Sequence, residues 1–231
     1  TTKVEKEYDL EINTIDSIKI SSNKLLMKNK FDEHGVITTN WSPNIDKYLE
    51  NSKNPYPIIV KNIYGSRGTG NHKIDDADEL TVFLSSHKRN IKSYIFEEFF
   101  NSAKEYRIHV STEGPFLMWR KLRRTDTPAD QRWFFNNHNC NWVGIDNPLF
   151  DPPVNIKDIQ NECIKALTSV GLTIGACDVR VQSNRNSNGS YRKAPVFKII
   201  EINSAPSMGE ITGQTYINEF KKIINKEKYD V

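Results

Sequence analysis

Strand-like stretches in this chain come in neighbouring pairs. KEYRIHV and PFLMWRK flank STEG, which turns at Gly114, and GLTIGACDVRVQ and PVFKIIEIN flank the polar loop SNRNSNGSYRKA. A short glycine-containing turn joins antiparallel neighbours. Strands that cluster in pairs between helices, rather than alternating strictly with them, predict an α+β fold in two lobes. A further strand, YPIIVK (Tyr56 to Lys61), is compact, β-branched and bounded by Pro55 and Gly65. Tyr94 to Phe100 reads as another.

The clearest helix is Val154 to Val170, with Ile156, Ile159, Cys163, Ala166, Leu167 and Val170 on one face. A short helix from Asn23 to Lys30 is expected, capped by Ser22 and facing inward with Leu25, Leu26 and Phe31. Ser42 and Pro43 are read as the start of another, since serine accepts from free helix N–H groups and proline suits the first turn. Asp75 is expected to cap a helix with Leu80, Phe83 and Leu84 inward, and a last helix to run from about Thr215 to Lys226. Residues 1–20 read as an extended arm or edge strand. The segment 123–153 shows no periodicity, and a connection of that length predicts a functional loop.

The 231 residues suffice for one large core or two lobes. No apolar run approaches the ~20 residues of a membrane span, so no membrane association is expected. A net charge of +3 is compatible with an anionic ligand but does not indicate nucleic acid. Cys140, Cys163 and Cys177 are odd in number and lack CxxC spacing, so the expected setting is a reducing cytoplasm. The five histidines form no HxxxH pair and predict no histidine metal site.

The stretch VKNIYGSRGTGNHKI places Lys61 before three glycines within six residues. A P-loop has its lysine after the glycines. A covalent nucleotidyl transferase needs Lys-x-Asp-Gly, and no aspartate lies between Lys61 and Gly65. A kinase reading lacks a glycine loop before its lysine, and HRD and DFG as well. In FKIIEINSAPSMG, Glu201 and Asn203 are two apart on a strand and share a face. A carboxylate and an amide oxygen at a strand end suit Mg²⁺, or are simply a solvated face. Asp178, on a strand expected to pair antiparallel with this one, would bring a second carboxylate to the same end.

Taken in order, SSNKLLM, YPIIVKNIYGSRGTG, YIFEEFFNSAKEYRIHV, ACDVRV and FKIIEINSAPSMG resemble the ATP-grasp superfamily, across roughly residues 21–220. These carboxylate–amine ligases include D-alanine–D-alanine ligase, glutathione synthetase and the enzymes that add glutamate to a ribosomal protein tail. The resemblance implies two α+β lobes gripping ATP: an arm at 1–20, a small lobe at 21–95 and a large lobe at 96–231. It implies that Lys24 and Lys61 meet the phosphates, with the loop of Gly65, Ser66, Arg67, Gly68 and Gly70 closing over them. Glu97, Glu98, Phe99 and Phe100 would form the hinge that reads adenine, and Glu105 would hold the ribose. Asp178, Glu201 and Asn203 would hold two Mg²⁺ ions (or Mn²⁺), and Arg107, Arg120 and Arg180 would neutralise the transferring phosphoryl group.

The implied activity is ATP-dependent amide or peptide bond formation through an acyl phosphate, with release of ADP and phosphate. The alternatives are a catalytically silent ATP-binding module or, less readily, a nucleotidyl transferase or polynucleotide ligase. Arg120, Lys121, Arg123 and Arg124 are read as receiving an acidic peptide or an amino acid carboxylate, or else as a solvated basic strand. Asn136, Asn137 and His138 are read as substrate contacts or turns, and Trp119, Trp133 and Trp142 as packing residues. The superfamily ordinarily has a further N-terminal domain, and 20 residues precede Ser21 here. The expectation is therefore a reduced version of the enzyme, a domain that lies on another chain, or a domain that has been cut away, with a partner chain or oligomer completing the acceptor site in the second case.

Overall fold

The computed structural model describes residues 11–65, 68–136, 138–183, 190 and 192–229. In chain order the elements are α1 (Ile15–Ser22), α2 (Lys24–Glu33), β1 (Trp41–Ser42), α3 (Ile45–Asn51), β2 (Ile58–Asn62), β3 (Asn71–Ile74), α4 (Ala77–Ser86), β4 (Tyr94–Glu98), β5 (Lys104–Ser111), β6 (Gly114–Arg123), β7 (Cys140–Gly144), α5 (Ile156–Ser169), β8 (Ile174–Val181), β9 (Phe197–Asn203) and α6 (Glu210–Tyr229). The fold is α+β with two separate antiparallel sheets. A four-stranded sheet has the order β1-β4-β2-β3, and a five-stranded sheet the order β7-β6-β5-β8-β9.

Each sheet has its own core. Ile58, Val60, Phe96, Leu80 and Phe83 pack the small sheet against α4. In the large sheet the alternate residues Tyr106, Ile108 and Val110 of β5 and Cys177, Val179 and Val181 of β8 face α5, which offers Ile159, Cys163, Ala166 and Leu167. Period two on the strands thus meets period 3.6 on the helix. The opposite face of β5 and β8 carries Glu105, Arg107, Asp178 and Arg180. A bulge lets Asp178 pair with Glu201 while Val179 pairs with Ile199. Residues directly opposite one another point to the same side, so the bulge keeps Glu201 on the polar face with Asp178.

Several expectations need correction. Residues 15–22 form a helix rather than part of an extended arm, because Thr14 accepts the Ser17 N–H and starts the turn. Helix α2 is capped by Asn23, not Ser22, and turns Met27, Lys28 and Phe31 inward while Leu26 is exposed. Met27 and Phe31 pack in the large-sheet core, so α2 joins the lobe from which its place in the sequence separates it. Ser42 ends β1, and Asn44 caps α3. Asp76 rather than Asp75 caps α4, and Asn71–Ile74 is a strand that pairs with β2. The segment 123–153 contains β7, hydrogen-bonded to β6. The final helix begins at Glu210.

The lobes meet along residues 35–40. Ile199 N–H donates to the Ile37 carbonyl at 2.8 Å, and Thr38 Oγ1 donates to the Ile199 carbonyl at 2.7 Å. Ile37 N–H also reaches Glu162 Oε1 on α5 at 2.6 Å. Among the described residues, no helix is long and apolar enough to cross a membrane.

Candidate active site between the lobes

Two ionic networks face the space between the sheets. The first lies on the small-lobe side. Glu97 on β4 is buried, and its Oε2 accepts from Lys61 Nζ at 2.8 Å and from Thr39 Oγ1 at 2.9 Å. Its Oε1 lies 3.3 Å from Lys28 Nζ, which is fully buried and also donates to Thr38 and Thr39. Burial alone would raise the Glu97 carboxyl, but Lys28 and Lys61 beside it bring it down to about 2. Burial lowers the Lys28 ammonium to about 8, against the pull of Glu97.

Lys24 opens α2. Its backbone N–H donates to the Ile63 carbonyl, and its ammonium donates to the Gly65 carbonyl at the start of the glycine loop. Burial lowers the Lys24 ammonium, partly offset by the charge of Glu201. Lys24, Lys61, Glu97 and Glu201 thus lie within electrostatic reach of one another, although they come from four elements.

The second network is on the large sheet. Arg107 grips Asp178 with two bonds, Nε to Oδ1 at 2.8 Å and Nη2 to Oδ2 at 2.9 Å. Lys121 Nζ reaches Asp178 Oδ2 at 3.0 Å and Glu105 Oε1 at 2.7 Å. Arg180 Nε closes the chain on Glu105 Oε2 at 2.8 Å. Burial would raise the Asp178 carboxyl, but Arg107 and Lys121 hold it well below the usual carboxylate range. Lys121 is buried too, yet Asp178 and Glu105 raise its ammonium.

A model of the RimK-like ATP-grasp domain matches residues 16–112. D-alanine–D-alanine ligase from Bacillus anthracis superposes with a TM-score of 0.61 at 16% identity, over 91% of this chain and 66% of that one. The chain has the ATP-grasp fold. N5-carboxyaminoimidazole synthetase from Staphylococcus aureus, complexed with ADP, gives a TM-score of 0.62 at 17% identity, over 87% of this chain and 49% of that one. The ATP-grasp ligase PsnB, complexed with precursor peptide PsnA2 and AMPPNP, gives 0.56 at 13%, over 87% and 56%. The chain therefore spans about two-thirds or less of the length of these structures. A search of curated proteins found no match.

In ATP-grasp terms, the chain crosses from the small to the large sheet between Glu98 and Lys104. Glu98 itself binds Asn40, with Oε1 accepting from its N–H at 3.0 Å, and Phe99 N–H donates to the Pro57 carbonyl. Phe100 is buried. Glu97 points its side chain into the first network, and Glu105 is held by Lys121 and Arg180. Neither carboxylate is free as the structure stands.

The glycine loop reaches across to the other lobe. A Cβ at Gly68 would lie 3.8 Å from the ring of Phe134, and both Gly68 and Gly70 have positive φ. Glycine takes that conformation without steric cost. The expected contacts Ser66, Arg67 and Asn137 lie outside the described residues.

The metal expectation can be tested on the donor set. Glu201 hydrogen-bonds to no described residue, and the buried Nδ2 of Asn203 has no partner. The free Glu201 carboxylate and the Oδ1 of Asn203 fit a hard cation that takes oxygen ligands, while the unpartnered Nδ2 is a donor suited to a phosphate oxygen beside it. Asp178 is the exception, because both its oxygens are engaged by Arg107 and Lys121. Among the described residues no group of three His, Cys, Asp or Glu side chains is placed to hold a metal.

The basic residues of β6 separate. Arg120 lies away from the polar face and donates to the Leu149 carbonyl at 2.8 Å. Lys121 is sealed into the second network. Arg123 stacks 4.0 Å from the centroid of Phe135, and exposed Arg124 pairs with Asp126. They do not form one anion-binding pocket. Asn136 holds a turn by accepting from the N–H groups of His138 and Asn139. Trp133 offers its carbonyl to Arg180. Sequence reasoning missed Lys28, whose only signal was a lysine on an otherwise apolar helix face, and gave Lys121 a substrate role where the structure pairs it with Glu105 and Asp178.

Proposed function

We propose that the chain is an ATP-dependent carboxylate–amine ligase. The observation that carries the reading is the convergence, between two ATP-grasp sheets, of Lys24 and Lys61 with the unpaired Glu201–Asn203 pair. A substrate carboxylate oxygen attacks the γ-phosphorus of ATP, the bond to the β–γ bridging oxygen breaks, and ADP leaves. An amine then attacks the acyl carbon of the resulting acyl phosphate, losing a proton as phosphate departs.

Lys61, fixed by Glu97, and Lys24 bind and orient the phosphates as charge-assisted donors. Glu201 and Asn203 would hold Mg²⁺, which when bound neutralises charge on the β- and γ-oxygens. Arg107 lies beside that pair and stabilises charge on the phosphoryl group in flight. The glycine loop, lying against Phe134, excludes water from an intermediate that water destroys.

One observation favours a second reading. Asp178 and Glu105 are both satisfied internally, as they would be in a module that binds ATP without turnover. The test is ADP release with Mg²⁺, ATP and a panel of amino acids, polyamines and peptides. The ligase reading predicts ADP and no lysine–AMP adduct, with loss of turnover in Glu201→Ala and Asn203→Ala. ATP binding without ADP under any condition favours the silent module; full activity in both variants sinks the site.

A further inference from the structure

Beside Arg107 lies a cavity of about 330 Å³ walled by Trp119, Trp142, Met208, His109 and Thr212. It adjoins the candidate phosphoryl-transfer site through two connections. Arg107 belongs to both places, and Met208 lies in the loop that follows Asn203 on β9. Trp142 stacks over the Arg107 guanidinium at 4.9 Å and over Lys121 at 5.3 Å. Trp119 lies against Gly144, where a Cβ would meet its ring at 3.1 Å, so the indole is supported from behind.

The walls carry almost no free charge. The charge of Arg107 is matched by Asp178, and no carboxylate is among the described residues lining the cavity. His109 is hydrogen-bonded through Nδ1 to Tyr216 at 3.0 Å. Burial, helped by Arg107, pushes His109 down to about 4, so its ring is neutral at pH 7. The polar features that remain are the hydroxyls of Ser207 and Thr212 and one guanidinium nitrogen: Arg107 uses Nε and Nη2 on Asp178, and its Nη1 bonds to no described residue. A cavity at the small end of ligand sites, roughly 300–1,000 Å³, admits one residue-sized group rather than a length of peptide.

We propose that this cavity is the substrate side-chain site, and that it takes an amino acid or peptide residue with an aromatic or large aliphatic side chain. The side chain lies between the two indoles and Met208, and its carboxylate or carbonyl oxygen receives Arg107 Nη1. The assignment rests on the ligase reading for its chemistry, but on the cavity alone for its selectivity. It replaces the acidic substrate that the basic residues of β6 suggested. A glutamate side chain would lose its hydration here without gaining an unpaired cation, and a lysine side chain would meet no carboxylate.

Binding and turnover are measured separately on the full chain. L-phenylalanine, L-leucine, L-glutamate and L-lysine are each titrated by saturation-transfer NMR with Mg·AMPPNP present, and ADP release is followed with the same four. Phenylalanine and leucine should bind at least tenfold more tightly than glutamate or lysine. Met208→Glu, at a half-exposed wall position, and Trp142→Ala should each weaken phenylalanine binding at least tenfold, with Mg·AMPPNP binding as the folding control.

Preferential glutamate or lysine binding, failure of all four to bind a nucleotide-competent chain, or phenylalanine binding untouched by both variants would overturn the assignment. If phenylalanine binds as described but no ADP appears with any amino acid, the ligase reading falls and the cavity assignment stands. If ADP appears with glutamate and not phenylalanine, the reverse holds.

Discussion

Replacing Glu97 by glutamine removes the one negative charge shared by Lys28 and Lys61 while keeping the shape of the side chain. The carboxyl is held at about 2 against an ordinary 4.5, which corresponds to about 3 kcal/mol of stability at neutral pH. Leaving Lys28 buried without its partner raises the loss toward ~5 kcal/mol, the range for breaking a buried pair from one side. At roughly 2–4 °C per kcal/mol for a chain of this size, the melting temperature should fall by roughly 6–20 °C.

The sign of the pH dependence follows from the lowered carboxyl. The unfolded chain binds the proton first as pH falls, so the Glu97 contribution is complete above 4.5 and is lost on the way down to about 2. Urea unfolding of wild type and Glu97→Gln at pH 7, 5, 4 and 3 should therefore give curves that converge toward the acid end. Adding Lys28→Met to Glu97→Gln should recover at least half of the loss, because no buried cation then lacks its counter-charge. A loss below about 1 kcal/mol at pH 7 would refute the network, as would parallel pH curves for the two proteins.

Lys61→Met should weaken Mg·ATP binding roughly tenfold to a hundredfold, the value of about 1.5–3 kcal/mol for a charged hydrogen bond, measured by calorimetry. Gly65→Ala places a Cβ 2.4 Å from the Thr69 carbonyl; the loop must shift, and ADP release should fall roughly tenfold or more with little change in melting temperature. Leu167→Ala, in the core beneath the large sheet, should cost about 2–5 kcal/mol in urea unfolding without changing the affinity for nucleotide.

Local signals carried much of this fold. The β5–β6 hairpin was marked by Gly114 and α5 by its apolar stripe, and the β8–β9 pairing followed from two apolar strands joined by a polar loop. That pairing made the approach of Asp178 to Glu201 legible, since antiparallel neighbours put matching residues on one face. Features chosen by tertiary contacts were not legible. Ser22 and Asn23 are both good caps, and Asn23 serves where the Lys24 N–H also finds the Ile63 carbonyl. Strand β3 is four polar-leaning residues held by the ladder with β2 and by the packing of His72 and Ile74 on the small-sheet core. The roles of the charged side chains were hidden for the same reason. Glu97 looked like part of an adenine-reading hinge, and its partners Lys28 and Lys61 come from distant elements that only the closed fold brings to it.

The bond from Lys24 to the Gly65 carbonyl gives the glycine loop a molecular latch. One ammonium holds the loop carbonyl and, on the proposed reading, is also claimed by an incoming phosphate. An anion that draws Lys24 toward itself releases the loop at its first residue, while the far side of the loop rests on Phe134. On the proposed reading, nucleotide capture and loop release are a single exchange of one lysine's partner, so the affinity of the site and the freedom of its cover would be set by the same competition.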